Sequence, residues 1–264
     1  MMNSRTLSID SAKCIQCAVC IEICTQDIFM RNPALEIAID SAAVDRCNGC
    51  GHCAAVCPAA AISLDAGDPL KLPPRVIAPL EERQREGLFK ARRSTRTYTE
   101  QKVSHELILR ALEHARYAPT AGNSQQVEWI LVEGKERLHG ITAKVAAWAK
   151  MQQGKYARVA SLFEQGRDPV MRGAPALLLA HAGKDSPWKN HDAGAALSYL
   201  ELALHSYGLG TCWAGFVISA ARSGTDLGIS LPEKRELCAG LLFGYPVHTF
   251  QRLPPRKPVR IEYA

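Results

Sequence analysis

The cysteines are the feature that most limits what this chain can fold into. Eight of the ten lie within the first 57 residues. They follow one spacing, Cys-x2-Cys-x2-Cys-x3-Cys, which is written twice at an offset of 33 residues. An internal repeat of this kind predicts two copies of one ligand-bearing loop. The first copy consists of Cys14, Cys17, Cys20 and Cys24, and the second of Cys47, Cys50, Cys53 and Cys57, which Pro58 follows.

This spacing favours two 4Fe-4S clusters. Three thiolates separated by two residues on a tight turn can each reach a different iron of one cubane, while the fourth faces away and ligates the other cluster. A disulfide scaffold would need an oxidising compartment, and zinc knuckles usually pair two Cys-x2-Cys arms across a longer gap. We therefore assign Cys14, Cys17, Cys20 and Cys57 to cluster 1, and Cys47, Cys50, Cys53 and Cys24 to cluster 2.

Over about residues 5–66 the repeat resembles that of bacterial two-cluster ferredoxins. The sequence has Thr25 where that family usually has Pro, whereas Pro58 follows the second copy as expected. The resemblance implies a ferredoxin-like electron-transfer domain over residues 1–66. Two clusters in series suggest a relay with an entrance and an exit for electrons.

The overall composition excludes several other classes of protein. A hydrophobic fraction of 47% and a charged fraction of 22% are typical of a globular protein. The net charge of +6 comes from interspersed acidic and basic residues, which does not indicate nucleic-acid binding. No apolar run reaches the roughly 18 to 20 residues of a membrane helix, and residues 1–10 are polar, unlike a signal peptide. We expect a cytoplasmic protein without a nucleic-acid or membrane partner.

The rest of the chain predicts a second domain of helices and strands. Residues 67–87 are predicted to form a Pro-rich linker, and residues 88–264 the second domain. Strands separated by helices indicate an α/β or α+β layered fold. Ser104 and Asp192 are candidates to cap two of the helices. The predicted helices span residues 104–117, 136–151 and 192–207, and the predicted strands span residues 127–132, 174–180 and 237–245.

Four polar segments of the second domain are not explained by core packing. Residues 92–96 read RRSTR, and such guanidiniums and hydroxyls can clamp a phosphate. Residues 119–126, PTAGNSQQ, form a polar loop that suits a polar ring or sugar chain, or a simple capped turn. Glycines in residues 208–216 allow the backbone to approach a flat ligand. Residues 253–258, LPPRKP, hold two cations between prolines.

Together, RRSTR, PTAGNSQQ, HDAGAALSYLELALHSYGLGTCWAG and GYP followed by PPRKP resemble the FMN-binding nitroreductase family. The resemblance covers about residues 88–264. It implies an α+β sandwich that forms a homodimer by exchange of helices and termini, with one FMN in each of two interface sites. It also implies three sets of FMN contacts. The phosphate and ribityl chain are contacted by Arg92, Arg93, Ser94, Arg96, Arg256 and Lys257. The flavin is contacted by Thr120, Asn123 and Gln125 of the partner subunit, and the isoalloxazine by Ala214 and Gly215.

In a site of this kind the flavin supplies the redox chemistry, and we identify no catalytic nucleophile or acid–base pair in the chain. Cys212 is a candidate reactive thiol, but its apolar neighbours favour a cysteine packed in the core. Cys238 is predicted to lie in a strand. His181 is predicted to be a structural hydrogen-bonding residue.

The two halves together suggest a direction of electron flow. Clusters carry single electrons, whereas a flavin collects two and delivers them as a hydride equivalent. The leading hypothesis is flow from a reduced ferredoxin or flavodoxin through both clusters to FMN and on to a nitroaromatic, a quinone or an electron-poor alkene. Direct reduction by NADH or NADPH, with the clusters as an outlet, is the first alternative. A non-catalytic redox carrier or sensor is the second.

Overall fold

The computed structural model of the protein describes residues 6–65, 67–73, 75 and 78–263. Its contacts divide the chain into two compact units. The first comprises Met1–Pro79 with Gly122–Ser124, and the second Leu80–Ala121 with Gln125–Ala264. Of the predicted linker, residues 74, 76 and 77 lie outside the described residues, as do residues 1–5, 66 and 264 of the two predicted domains.

The first unit is built from two two-stranded sheets and two short α-helices. Its elements are β1 (Leu7–Ile9), α1 (Val19–Ile23), β2 (Phe29–Arg31), β3 (Ile37–Ile39), α2 (His52–Val56) and β4 (Ile62–Leu64). Strand β1 pairs with β4 and β2 with β3, both antiparallel. A small core of Ile28, Phe29, Ile37 and Ile62 packs against several of the cysteines. The sequence repeat is therefore also a structural repeat, since α1 and α2 stand 33 residues apart.

Backbone torsions repeat with the same offset. The residues that precede α1 and α2, Ala18 and Gly51, have φ values of 65° and 71°. Two further pairs, Gln16 with Gly49 and Asp27 with Ala60, also lie in the left-handed region. Isolated left-handed residues turn the chain sharply and expose consecutive amide groups on one side of a loop. Each cysteine loop thus follows the same tight path.

The second unit is a central sheet covered by helices on both faces. The four strands are β5 (Glu128–Glu133), β6 (Ala176–Gly183), β7 (Gly210–Trp213) and β8 (Arg235–Gly244), in the spatial order β5-β6-β8-β7 with every pair antiparallel. Six helices surround them: α3 (Glu82–Phe89), α4 (His105–Ala115), α5 (Lys135–Lys150), α6 (Lys155–Glu164), α7 (Lys189–Ser206) and α8 (Gly215–Arg222).

Alternate residues of β6 face two separate cores. Leu177 and Leu179 pack with residues of α5, α6 and α8, whereas Leu178 and Ala180 pack with residues of α4 and α7. A strand that is buried on both faces has a continuous apolar sequence, and this pattern predicted β6. The result is the α+β sandwich that was predicted. Within the described residues, no helix is both long and apolar enough to cross a membrane.

All six predicted elements of the second unit are present, with ends shifted by a few residues. Ser104 caps α4 as predicted, because its hydroxyl oxygen accepts a hydrogen bond from the Leu107 amide at 3.3 Å. The prediction that Asp192 caps α7 was wrong. The helix begins at Lys189, and Asp192 is buried in its first turn, where it accepts a hydrogen bond from the Ala121 amide at 3.0 Å. Helix α3 occupies the end of the predicted linker.

Strand β7 brings the basic segment 92–96 into the sandwich. The Thr95 amide donates to the Thr211 carbonyl oxygen at 2.7 Å, and Ser94 forms a parallel bridge with Thr211. This approach requires a glycine at position 210. A Cβ atom there would lie 2.4 Å from Thr95 Oγ1 and 2.7 Å from Thr95 Cβ. Gly210 is thus what allows residues 92–96 to lie against the sheet.

We predict that Gly210→Ala lowers the free energy of unfolding of the second unit by about 1 to 3 kcal/mol, because overpacking moves either Thr95 or β7. It should also displace the basic segment and so weaken FMN retention. Urea denaturation and the amount of FMN bound after dialysis measure the two effects. The control is Gly140→Ala in α5, where an added Cβ meets nothing within 4 Å. That change should be neutral or slightly stabilising, and equal losses in both variants would contradict the role of Gly210.

Candidate functional site

The eight repeat cysteines line two separate pockets in the first unit. One pocket is lined by Cys14, Cys17, Cys20 and Cys57, and the other by Cys24, Cys47, Cys50 and Cys53. These are the two sets predicted from the spacing, including the exchange of the fourth cysteine between copies. The remaining lining of the first pocket is aliphatic: Ile9, Ile15, Ala18, Val19, Ile37, Ala59, Ala61 and Ile62.

The donor set of each pocket fits a 4Fe-4S cluster. Each cubane iron takes one thiolate, so the four ligands stand farther apart than those of a zinc ion. Within the described part of the chain, no group of three or more Cys, His, Asp or Glu side chains is placed to hold a single metal ion. The Ala61 amide donates to Cys57 Sγ at 3.3 Å, a type of contact that tunes cluster potential. Burial raises the pKa of Cys53 to about 11, so coordination must displace its proton.

In the second unit a pocket forms where the basic segment meets β7 and α8. Arg92, Ser94 and Arg96 line it. Arg93 and Thr95, which alternate with these residues in the sequence, do not line the pocket. Ala214 and Gly215 line the same pocket from the start of α8. The structure thus brings together five of the predicted FMN contacts. Their cations and hydroxyl suit a phosphate and a ribityl chain.

A buried carboxylate organises this pocket. Glu201 of α7 is 7% exposed and lines the pocket. Its Oε1 accepts hydrogen bonds from Arg92 Nη1 and Thr211 Oγ1, both at 2.9 Å, and its Oε2 accepts one from Trp213 Nε1 at 3.3 Å. A buried charge is tolerated only when it is paired and fully hydrogen-bonded. Glu201 therefore fixes both the guanidinium of Arg92 and the indole of Trp213.

The predicted isoalloxazine contacts differ in what they can donate. The Ala214 amide donates to the Gly240 carbonyl oxygen at 2.8 Å within the sheet. Gly215 is the first residue of α8, where amide groups lack partners within the helix. Of the two, Gly215 is therefore the residue whose backbone suits a polar flavin edge.

Other predicted contacts lie away from this pocket. Arg93 does not line it. Desolvation lowers the pKa of Arg93, and the charges of Arg256, Arg92 and Arg96 lower it further. Arg256 therefore lies near the basic segment, while Lys257 is exposed. The Thr120 hydroxyl accepts a hydrogen bond from the Gln125 amide at 3.1 Å, which closes the polar loop. Asn123 belongs to the first of the two compact units.

Sequence reasoning missed several residues of the pocket. Besides Glu201, these are Lys155 and Tyr156 of α6, Arg172 before β6, and Phe216 of α8. The one available signal was Glu201 itself, a single carboxylate inside the apolar run of α7. Cys212, by contrast, is buried, and burial raises its pKa. Its thiol stays protonated at neutral pH, as expected of a packed cysteine rather than a nucleophile.

Comparisons with known proteins agree with this architecture. The sequence model of the Nitroreductase family matches residues 89–245, and that of a 4Fe-4S dicluster domain matches residues 13–62. Among curated proteins, the chain is 29% identical to an iodotyrosine deiodinase of Thermotoga neapolitana over 132 residues, which are 47% of this chain and 69% of that protein. It is 27% identical to an FMN reductase [NAD(P)H] of Bacillus subtilis over 173 residues, which are 61% of this chain and 66% of that protein.

Solved structures show the same fold. A nitroreductase with bound FMN from Desulfitobacterium hafniense aligns with a TM-score of 0.57 at 23% identity, covering 67% of this chain and 96% of that one. A second, from Bacteroides fragilis and also with bound FMN, aligns with a TM-score of 0.55 at 21% identity, covering 66% and 92%. The two family models together confirm the suspected joining of a two-cluster ferredoxin domain to a nitroreductase domain.

We predict that Glu201→Ala lowers the free energy of unfolding by about 3 kcal/mol, because Arg92 keeps its charge without a partner and two further donors lose their acceptor. FMN should bind more weakly, since Arg92 is no longer held. Urea denaturation and fluorescence titration with FMN provide the measurements. The matched control is Glu113→Ala, which removes the exposed partner of Arg116 and should change little. A small effect at Glu201 would refute its organising role.

Proposed function

Since the chain belongs to the nitroreductase family of FMN-dependent oxidoreductases and also carries a 4Fe-4S dicluster domain, we propose that it passes electrons from a reduced protein carrier through two clusters to FMN and on to an organic acceptor. The observation that carries the proposal is that one chain contains two four-thiol pockets and the pocket lined by Arg92, Ser94, Arg96, Ala214 and Gly215. The donor is a ferredoxin or flavodoxin, and the acceptor is a nitroaromatic, a quinone or an activated alkene.

The pairing of cofactors supports this order. FMN, when bound, exchanges single electrons with clusters and electron pairs with organic molecules. Two clusters in the same chain are useful chiefly as a path for single electrons. A nitroreductase-family enzyme that is reduced only by a nicotinamide needs no clusters, because the nicotinamide delivers two electrons to FMN directly.

The chain's own residues bind and orient the cofactor. Arg92, Ser94 and Arg96 supply cationic and hydroxyl donors for the phosphate and ribityl chain, and Arg256 adds charge beside Arg93. Glu201 holds Arg92 in one position and thereby lowers the entropic cost of binding. Phe216 and Gly215 line the same pocket and would flank a flat ring bound in it.

We also propose that the active form is a homodimer that exchanges helices and termini, with one FMN at each of two shared sites. The support is that Thr120 and Gln125 do not line the pocket formed by their own second unit. In this arrangement Thr120, Asn123 and Gln125 contact the FMN held by the partner subunit.

The FMN-loaded protein should therefore have twice the mass of one chain in multi-angle light scattering. Asn123→Ala should reduce FMN affinity without changing that mass. A monomer that retains stoichiometric FMN would overturn the shared-site assignment.

The electron donor is tested by an anaerobic titration followed through the flavin and cluster absorption bands. We expect reduced ferredoxin to bleach both sets of bands rapidly, and NADH or NADPH to do so slowly. Cys14→Ser should lose one cluster and the ferredoxin-driven bleaching of FMN, yet keep FMN bound. Loss of FMN together with the cluster would contradict the division into two functional units.

Direct reduction by a nicotinamide is the second candidate, because the similar Bacillus subtilis protein is an FMN reductase [NAD(P)H]. Rapid bleaching by NADH or NADPH in the same titration would favour it and make the clusters an outlet. Reversible reduction without turnover of any acceptor would instead indicate a carrier or sensor.

A further inference from the structure

A second depression adjoins the candidate FMN pocket in the second unit. The two share Arg96, Lys155, Arg172 and Phe216 as lining residues. The second is lined in addition by Arg158 and Arg167. We call Lys155, Arg158, Arg167 and Arg172 the basic groove. None of the four belongs to the residues assigned to the FMN phosphate.

Positive charge is in excess in this depression, because the four cations of the basic groove and Arg96 line it together with one carboxylate, that of Asp168. Asp168 and Glu201, which line this depression and the adjoining pocket respectively, hold other hydrogen-bond donors. Asp168 accepts hydrogen bonds from the amides of Val170, Met171 and Gly173 at 2.8 to 3.2 Å, and Glu201 binds Arg92. Among the residues that the structure describes, no carboxylate forms an ion pair with any of the four groove cations. Such an arrangement attracts an anion.

Packing fixes helix α6 and so positions Lys155 and Arg158. The Tyr156 ring lies edge-on to Trp148, with centroids 4.8 Å apart, and to Phe216, with centroids 6.0 Å apart. Its hydroxyl lies 3.4 Å from Ser219 Oγ. Val159 and Ala160 are buried beneath the same helix. These contacts hold α6 against α5 and α8.

Arg172 is held by an unusual backbone conformation. It has a φ of 58°, in the left-handed region that non-glycine residues rarely adopt. The turn around it is secured by the three hydrogen bonds to Asp168. Strained non-glycine residues persist where the surrounding structure fixes them, and they cluster at ligand sites. Glycine or asparagine would fit this position at lower cost.

We propose that the basic groove binds the carboxylate of an organic acid, whose aromatic or unsaturated portion lies beside Phe216 and is the electron acceptor. This inference rests on the proposed function and narrows its acceptor to an anion. For a nitroaromatic acid the two-electron step consumes two electrons and two protons, converts the nitro group to nitroso and releases water. The reduced carrier supplies the electrons and solvent supplies the protons.

The test compares an acid with its neutral amide. Protein loaded with FMN and clusters is reduced with dithionite and mixed anaerobically with 4-nitrobenzoate or 4-nitrobenzamide. We expect half-saturation at about tenfold lower concentration for the acid, as one charge-assisted hydrogen bond allows. The preference should shrink at high salt. Binding of unreactive benzoate and benzamide, followed by calorimetry, should show the same preference without any turnover.

The Lys155→Gln/Arg158→Gln double variant should remove the preference in both assays, and Arg172→Asn should weaken it without loss of stability because asparagine tolerates a left-handed φ. Arg137→Gln, an exposed change on α5, is the control and should keep the preference.

Equal binding of benzoate and benzamide by the wild type overturns the proposal. So does a double variant that loses only a preference for NADPH over NADH, which would assign the groove to the phosphate of a nicotinamide. Failure of both nitro compounds to oxidise the reduced protein, with benzoate still preferred, contradicts the nitroaromatic acceptor of the proposed function and not the binding of a carboxylate in the groove.

Discussion

The buried carboxylate of Glu201 is the interaction on which the nitroreductase site depends. It lies on α7 and accepts hydrogen bonds from Arg92, Thr211 and Trp213, which belong to two other segments of the chain. A charge in this position is stable only if all three donors stay in place. The carboxylate therefore acts as a distance constraint between α7, β7 and the basic segment. Its charge also offsets one of the several cations, which lowers their mutual repulsion before any phosphate binds.

Close to Glu201, the contact between β7 and the basic segment requires a glycine at position 210. Gly210 lets Thr95 approach β7 closely, and the resulting hydrogen bond from the Thr95 amide to Thr211 sets the height of the basic segment above the sheet. Thr211 thus serves twice, with its carbonyl toward Thr95 and its hydroxyl toward Glu201. Backbone position and side-chain orientation at the phosphate end of the pocket are consequently coupled, and neither can shift alone.

Short-range patterns in the sequence predicted much of this structure. The cysteine spacing anticipated both four-thiol pockets because ligation of a cubane constrains residues that are close in sequence. Apolar periodicity located β6 and α4. It missed α3, α6, β7 and α8, because elements of four to ten residues leave little room for a periodic pattern. Glu201 and Arg172 could not be placed either. Their roles come from partners far away in the chain or from a backbone torsion, and neither leaves a local pattern.

The two halves of the ferredoxin-like unit show how one geometry is met by different residues. Both cysteine loops require left-handed backbone at equivalent positions, yet Gly51 fits one of them without strain while Ala18 occupies the other. A left-handed alanine costs roughly 1 to 2 kcal/mol. Four iron–thiolate bonds release far more free energy than that, since metal binding and folding of such small domains are coupled. A bound cluster would thus stabilise the left-handed loop, and the apolar residues around it would exclude water.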